Sequence, residues 1–158
     1  MSTTFSHEPE GYVCPFCKFL TGSPDKYSSE NDIVYRNEFT TAFIAPKWWI
    51  NNKGHVLVIP NKHYENIYSI PDSQLAEVYK TVKKVATAIR STYGCEGTST
   101  RQHNEPAGNQ DVWHFHAHVY PRYENDKLYH NHDQAAFAET RLRTPYAEKL
   151  RTYFAENN

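Results

Sequence analysis

Apolar positions along the first third of the chain fall at every second residue or in short unbroken runs, and only later at helical spacing. Ile33-Val34-Tyr35-Arg36 predicts a strand, Asn37-Glu38 a turn, and Phe39 to Ala45 a second strand rich in threonine and aromatics. Pro46 to Lys53 reads as a connection carrying Trp48 and Trp49. Gly54-His55-Val56-Leu57-Val58-Ile59 reads as a third strand stopped by Pro60. Short connections between these strands favour antiparallel pairing. The period then changes. Leu75, Val78, Tyr79, Val82, Val85, Ala86 and Ile89 share one helical stripe, with Pro71-Asp72 as a first turn and Gly94 as a stop. Lys80, Lys83, Lys84 and Arg90 lie off that stripe, on a solvated face. Thr98 to Arg101 predicts a fourth strand, Glu105 to Asn109 a loop, and Val112 to Tyr120 a fifth strand ended by Pro121. A last helix is expected from Thr144-Pro145 through Leu150 and Phe154. Strands, a helix, then strands without regular alternation is α+β: an antiparallel sheet of about five strands, one long helix and a C-terminal helix. Residues 1–158 are expected as a single domain, with 1–13 a loose arm and 124–158 a C-terminal extension holding the last helix.

The fifth strand carries the chemistry. In Trp113-His114-Phe115-His116-Ala117-His118-Val119-Tyr120 the histidines alternate with apolar residues. In extended backbone His114, His116 and His118 point one way, while Phe115, Ala117 and Val119 point into a core. Three imidazoles on one accessible face make a row of groups that can transfer protons, attack electrophiles or bind metal. The preceding loop, Asn104-Glu105-Pro106-Ala107-Gly108-Asn109-Gln110-Asp111, is small, polar and flexible; its backbone N–H groups and the Gln110 amide could hold phosphate oxygens.

Composition narrows the class. Aromatics are 15% of residues, too many for a disordered chain, and the formal net charge of -1 advertises neither a nucleic-acid polymer nor an anionic membrane as partner. No apolar run is long enough to span a bilayer, and the N-terminus lacks the apolar core of a secretory signal, so a cytoplasmic protein is expected. Three cysteines are too few for a disulfide framework. Cys14-Pro15-Phe16-Cys17 reads as a metal knuckle or a redox motif; the redox reading wants a βαβ context, which the pattern lacks. Cys95 has no assigned role, and His7, His103, His130 and His132 read as polar loop residues.

Gln110-x-Val112-x-His114-x-His116-x-His118 resembles the signature of the histidine-triad (HIT) superfamily of nucleotide hydrolases and transferases. Cys14-x-x-Cys17, Gly54-His55-Val56-Leu57-Val58-Ile59-Pro60 with His63, and Asn104-Glu105 match further landmarks in order, over roughly residues 12 to 124. Val119-Tyr120-Pro121-Arg122 looks like the dinucleoside-polyphosphate hydrolase branch. The resemblance implies a HIT-like fold and a homodimer. It makes His116 a nucleophile toward the α-phosphorus of a nucleotide, with its other nitrogen held by the His114 carbonyl and His118 on a phosphoryl oxygen. Gln110 and Asn104 would orient the phosphates and the site loop. Substrates would be dinucleoside polyphosphates, nucleoside phosphoramidates or adenylyl sulfates, arriving in some cases as magnesium complexes, with no catalytic metal. Asp111 departs from the family's usual hydroxyl residue, and a carboxylate there repels phosphate. The zinc-bearing members imply a structural zinc on Cys14, Cys17, His63 and His114. Phe43, Ile44, Trp48 and Trp49 are candidates for a base-stacking wall, with the ribose contact near Lys47; His55 is a strand residue. Two other readings stay open. One is a metalloenzyme that uses His-x-His as open-site ligands, for which no further ligand strand is evident. The other is a non-catalytic, zinc-stabilised interaction protein that binds nucleotides.

Overall fold

The computed structural model describes residues 5–157, so the first four residues of the expected arm lie outside it. Ten helices and strands follow one another: α1 (Pro15–Leu20), β1 (Ile33–Arg36), β2 (Thr40–Ile44), β3 (Lys47–Trp48), β4 (Val56–Pro60), α2 (Asp72–Thr92), β5 (Gly97–Gln102), β6 (Ala117–Arg122), β7 (Ala136–Phe137) and α3 (Thr140–Glu156). Five strands form one antiparallel sheet in the order β1-β2-β4-β6-β5, and β3 pairs with β7 in a small separate ribbon. The fold is α+β.

Both faces of the sheet are covered, which is why β2 and β4 are buried along their whole length. Ala42, Ile44, Val56, Val58, Ala117 and Val119 face a core shared with Val78, Val82, Val85 and Ile89 of α2 and Leu150 and Phe154 of α3. Phe43, Leu57 and Ile59 face the other way, against Phe16 and Phe19 of α1. The α2 stripe differs from the expected one: Ala88 joins it, and two further positions change places. Tyr79 is exposed, while Thr81 is buried because its hydroxyl meets that of Thr40 at 2.8 Å.

The His-bearing strand begins later than expected and ends later. Ladder pairing with β4 and β5 starts at Ala117, so His114, in a bend over Val112 to His114, and His116 sit ahead of β6. That approach is held by Phe115 N–H donating to Tyr64 O at 2.6 Å. At its far end β6 runs on through Pro121, which pairs only with Thr98 because β4 has already run out.

The last helix begins a turn earlier than Thr144-Pro145, with Pro145 inside it. A tertiary anchor sets that start. Arg143 is buried, its guanidinium paired with both Asp32 carboxylate oxygens at 2.9 Å and bonded to Ala138 O and Thr140 Oγ1. Removing one partner of such a buried pair strands the other. Arg143→Ala is therefore expected to lower unfolding free energy by about 3–5 kcal/mol, read by denaturant titration.

A second ionic knot ties the extension to the sheet. Asp126 accepts from Arg122 at 2.7 and 2.9 Å, from Asn52 Nδ2 at 2.8 Å, and from the N–H groups of Tyr123 and Leu128. Burial pushes this carboxyl up, but Arg122 and the three amide donors outweigh it and hold it well below the usual range. A depressed folded pKa gives stability that is complete above the unfolded value of about 3.9 and drains away as the pH falls below it. Asp126→Asn is expected to lower stability at neutral pH and to flatten the acid limb of the stability profile, measured by thermal melts from pH 2 to 7.

Candidate functional site

His118 lies on the sheet face that carries α1, in a row of directly opposed residues: Phe43 on β2, Leu57 on β4, His118 on β6 and Arg101 on β5. Ahead of it the chain brings in His116, only 3% exposed, and the fully buried His114, while Phe115 enters the core. The three rings then part company.

His114 turns away from the others. Its Nδ1 lies 3.3 Å from Cys14 Sγ and 3.7 Å from Cys17 Sγ, and His63 Nδ1 lies 3.3 Å from Cys17 Sγ. The four donor atoms fall within 4.8 Å of one another. Tetrahedral zinc with thiolate and imidazole ligands would set neighbouring donors roughly 3.5–3.8 Å apart. The outer nitrogens agree: His114 Nε2 donates to Pro60 O at 3.0 Å and His63 Nε2 to the Glu8 carboxylate at 2.8 Å. Each Nδ1 is thereby left as a lone pair facing the thiols, as a metal site requires. Burial pushes His114 down to about 4, which keeps it neutral, and pushes the Cys14 thiol up to about 12. A cation at its side is what would hold Cys14 as a thiolate near pH 7. The residues fit a metal. Glu8 belongs to residues 5–13, which form no helix or strand but are tied to the body here and where Ser6 and His7 donate to Glu65.

His116 Nδ1 lies 2.7 Å from His114 O, and its Nε2 lies 3.6 Å from the carboxylate of Asp111, whose side chain is 74% exposed. The imidazole at His116, then burial, then its charge act on Asp111 with a net downward shift, so Asp111 is ionised. His118 Nδ1 meets Tyr120 Oη at 3.2 Å. Burial, and then the charges of His116, His55, His103 and Arg101, hold His118 well below its ordinary value, so it is neutral.

His116 and His118 line a cavity of about 230 Å³. Its apolar wall is Phe16, Leu57, Trp49, Tyr27 and Phe137, with Lys47, Asp25 and Asp111 at polar points. Of the expected stacking residues only Trp49 lines it. Trp48 packs into the helix-side core against Tyr146, as does Ile44, and Phe43 is buried under α1. His55 precedes β4 instead of lying in it; it is buried, lines the cavity, stacks on Tyr120 at 4.5 Å, and is held down to about 3 by burial. His132, expected as a loop residue, lines the cavity edge-on to Trp49. Tyr27 and Phe137 stack at 4.0 Å across its mouth.

Gln110 and Asn104 lie off the cavity, because their amides are already spent. Gln110 accepts from Glu105 N–H at 2.9 Å and donates to Glu65 O and Val112 O. Asn104 accepts from Ile67 N–H at 2.8 Å and exchanges hydrogen bonds with Gln102. Both shape the loop that delivers Asp111 and His116. Arg122 is likewise absent from the cavity, being engaged with Asp126 and Ser99.

A HIT domain family model matches residues 27–125, and the chain belongs to that family. It is 38% identical over 117 residues to an uncharacterized HIT-like protein of Methanocaldococcus jannaschii, covering 72% of this chain and 82% of that one. It is 30% identical over 117 residues to an adenylylsulfatase of Arabidopsis thaliana, covering 73% of this chain and 55% of that one. The crystal structure of a zinc-bound histidine triad family protein from Mycobacterium smegmatis superposes with a TM-score of 0.74 at 25% identity, over 92% of this chain and 95% of that one.

Proposed function

We propose that this chain is a histidine-triad nucleotidyl hydrolase or transferase in which His116 carries the nucleotidyl group covalently. The observation that supports this most directly is the 2.7 Å contact between His116 Nδ1 and His114 O. A carbonyl oxygen only accepts, so the ring proton sits on Nδ1 and the lone pair on Nε2, at the cavity. In the first displacement that lone pair forms an N–P bond to the α-phosphorus. The bond from phosphorus to the leaving group breaks and its electrons depart on the leaving atom, oxygen in an anhydride or a nitrogen that takes up a proton from solvent in a phosphoramidate. In the second, a water oxygen attacks phosphorus, the N–P pair returns to Nε2, and a water proton passes to solvent. Two displacements replace one hard one. His118 is neutral and within hydrogen-bond distance of Tyr120 Oη; in the tautomer this reading uses, Nδ1 accepts from that hydroxyl and Nε2–H donates to a phosphoryl oxygen. The Arabidopsis relative, an adenylylsulfatase, supports the class of reaction.

The same reading gives Cys14, Cys17, His63 and His114 a structural zinc, which neutralises the two thiols and fixes the His114 carbonyl. The three free cysteines suit a reducing compartment such as the cytoplasm, and no helix among the described residues is long and apolar enough to cross a membrane. We read the protein as a homodimer, since the sheet ends in unpaired edges at β1 and β5; sedimentation at twice 18.4 kDa is the expected result.

The test is capture of the intermediate. The protein is mixed with diadenosine triphosphate, adenosine 5′-phosphosulfate or adenosine 5′-phosphoramidate, quenched in cold alkaline denaturant, and weighed intact. A transient adenylyl adduct with AMP as product is expected. AMP binding with neither adduct nor product from any of the three would leave a non-catalytic nucleotide-binding protein and end this reading.

A further inference from the structure

We infer that Arg101 holds an anionic leaving group, so that the site takes nucleotides activated by phosphate or sulfate in preference to those activated by an amine. The inference rests on the nucleotidyl-transfer reading above. Arg101 is the directly opposed partner of His118 across β5 and β6, as Leu57 is across β4 and β6. Opposed residues share a face with Cβ atoms roughly 4.5–5.5 Å apart. Leu57, His118 and Arg101 thus lie in line, with the imidazole in the middle. The apolar cavity is on the Leu57 side, where Phe16, Tyr27 and Phe137 suit a nucleoside. Phosphorus at His116 and His118 then directs the leaving group to the Arg101 side.

The guanidinium is held in place and left without an anionic partner. It lies 5.0 Å over the Tyr129 ring and 5.8 Å over the Tyr120 ring, and Tyr120 is the residue bonded to His118. Aromatic faces fix the orientation of a guanidinium without consuming its N–H donors. The neighbouring Arg122 shares the Tyr129 ring, but its charge is cancelled by Asp126. Among the described residues Arg101 has no carboxylate within ion-pair distance; its polar neighbour is the Tyr120 hydroxyl, the group that also meets His118. A half-buried, oriented, unpaired cation beside the triad is complementary to negative charge that grows as a P–O bond breaks. It gives no such help to an amine, which leaves neutral after taking up a proton.

Two measurements decide it. The first needs no turnover. In a His116→Asn protein, ADP is expected to bind about tenfold more tightly than AMP, and adding Arg101→Gln is expected to bring that ratio near one. The second is kcat/KM. Arg101→Gln is expected to cost about thirtyfold with adenosine 5′-phosphosulfate and less than about threefold with adenosine 5′-phosphoramidate, and Arg101→Lys to restore part of the loss. Equal losses on both substrates, or an ADP preference that survives Arg101→Gln at an unchanged melting temperature, overturns the inference. Turnover insensitive to Arg101 would leave the nucleotidyl-transfer reading standing without it. An Arg101-dependent ADP preference in a protein that turns over nothing would do the reverse.

Discussion

Replacement of His116 by alanine is expected to abolish turnover of every nucleotidyl substrate, by at least about a thousandfold in kcat, with folding and metal content intact. The side chain stands at the end of a chain of fixed contacts. Glu105 and Gln110 shape the loop, Phe115 N–H is tied to Tyr64 O, and the His114 carbonyl orients the ring. The first two do not involve the imidazole, against which Phe16 and His118 pack at 5.3 and 5.1 Å. Alanine therefore removes the proposed nucleophile and leaves the loop and backbone around it in place. Loss of the intact-mass adduct should accompany loss of rate. His118→Ala is expected to be milder, about a hundredfold, because it takes away one donor to a phosphoryl oxygen and leaves the covalent route open. Turnover that survives His116→Ala would mean that another atom attacks phosphorus.

The fold was largely legible because its signals are local. Ile33–Arg36 is a strand where the alternation put it, and the helix over Asp72–Thr92 follows from the stripe and the proline before it. The alternation holds for His116 and His118, which both line the cavity, and for Phe115 and Val119 in the core, whereas the bend at His114 turns that ring to the thiols. Helix α3 was misplaced at its start because Thr144-Pro145 carries a genuine cap pattern, which a buried Arg143–Asp32 pair between distant segments overrides. No local pattern reports an ion pair 111 residues apart in the chain.

The site divides along the same line. Cys14, Cys17, His63 and His114 meet as a donor set, as the family resemblance implied; motif spacing alone offered only the two cysteines. Side chains whose role is decided by tertiary contacts were less legible. Gln110 and Asn104 have phosphate-binding chemistry, but buried backbone groups of Glu65, Glu105 and Ile67 claim their amides first. His132 and Phe137 reach the cavity from short turns and a two-residue strand, too brief to carry any periodicity. The one available signal was pairing chemistry: β7 docks on β3, so the tryptophan-bearing connection had a partner in the extension. That pairing separates Trp48, in the core, from Trp49, at the cavity. Val119-Tyr120-Pro121-Arg122 has a structural use of its own, since Arg122 locks the extension through Asp126, and it therefore says little about substrate branch.

Stripping metal from the purified protein should both loosen it and slow it. Cys14 caps α1, whose Phe16 and Phe19 cover one face of the sheet, and His114 supplies the carbonyl that orients His116. A single ion would thus clamp α1, the turn at His63 and the approach to β6. Metal analysis of untagged protein is expected to give about one zinc per chain. An ion bound at a thousand times its Kd contributes about 4 kcal/mol of stability, so chelation should lower the melting temperature by several degrees, and zinc should restore it. Cys14→Ser with Cys17→Ser should reproduce the loss irreversibly. His114→Ala separates the two effects on rate. It removes a ligand but keeps the backbone carbonyl, so His116 still has its acceptor while the segment carrying it is unclamped. Activity falling in parallel with zinc content across chelated, Cys14→Ser and His114→Ala proteins would place the metal's contribution in positioning. Zinc-free protein with both thiols freely titratable, an unshifted melting temperature and full turnover would show that the four side chains meet for packing alone, and that the His114 carbonyl is fixed by Pro60 and Tyr64 without help.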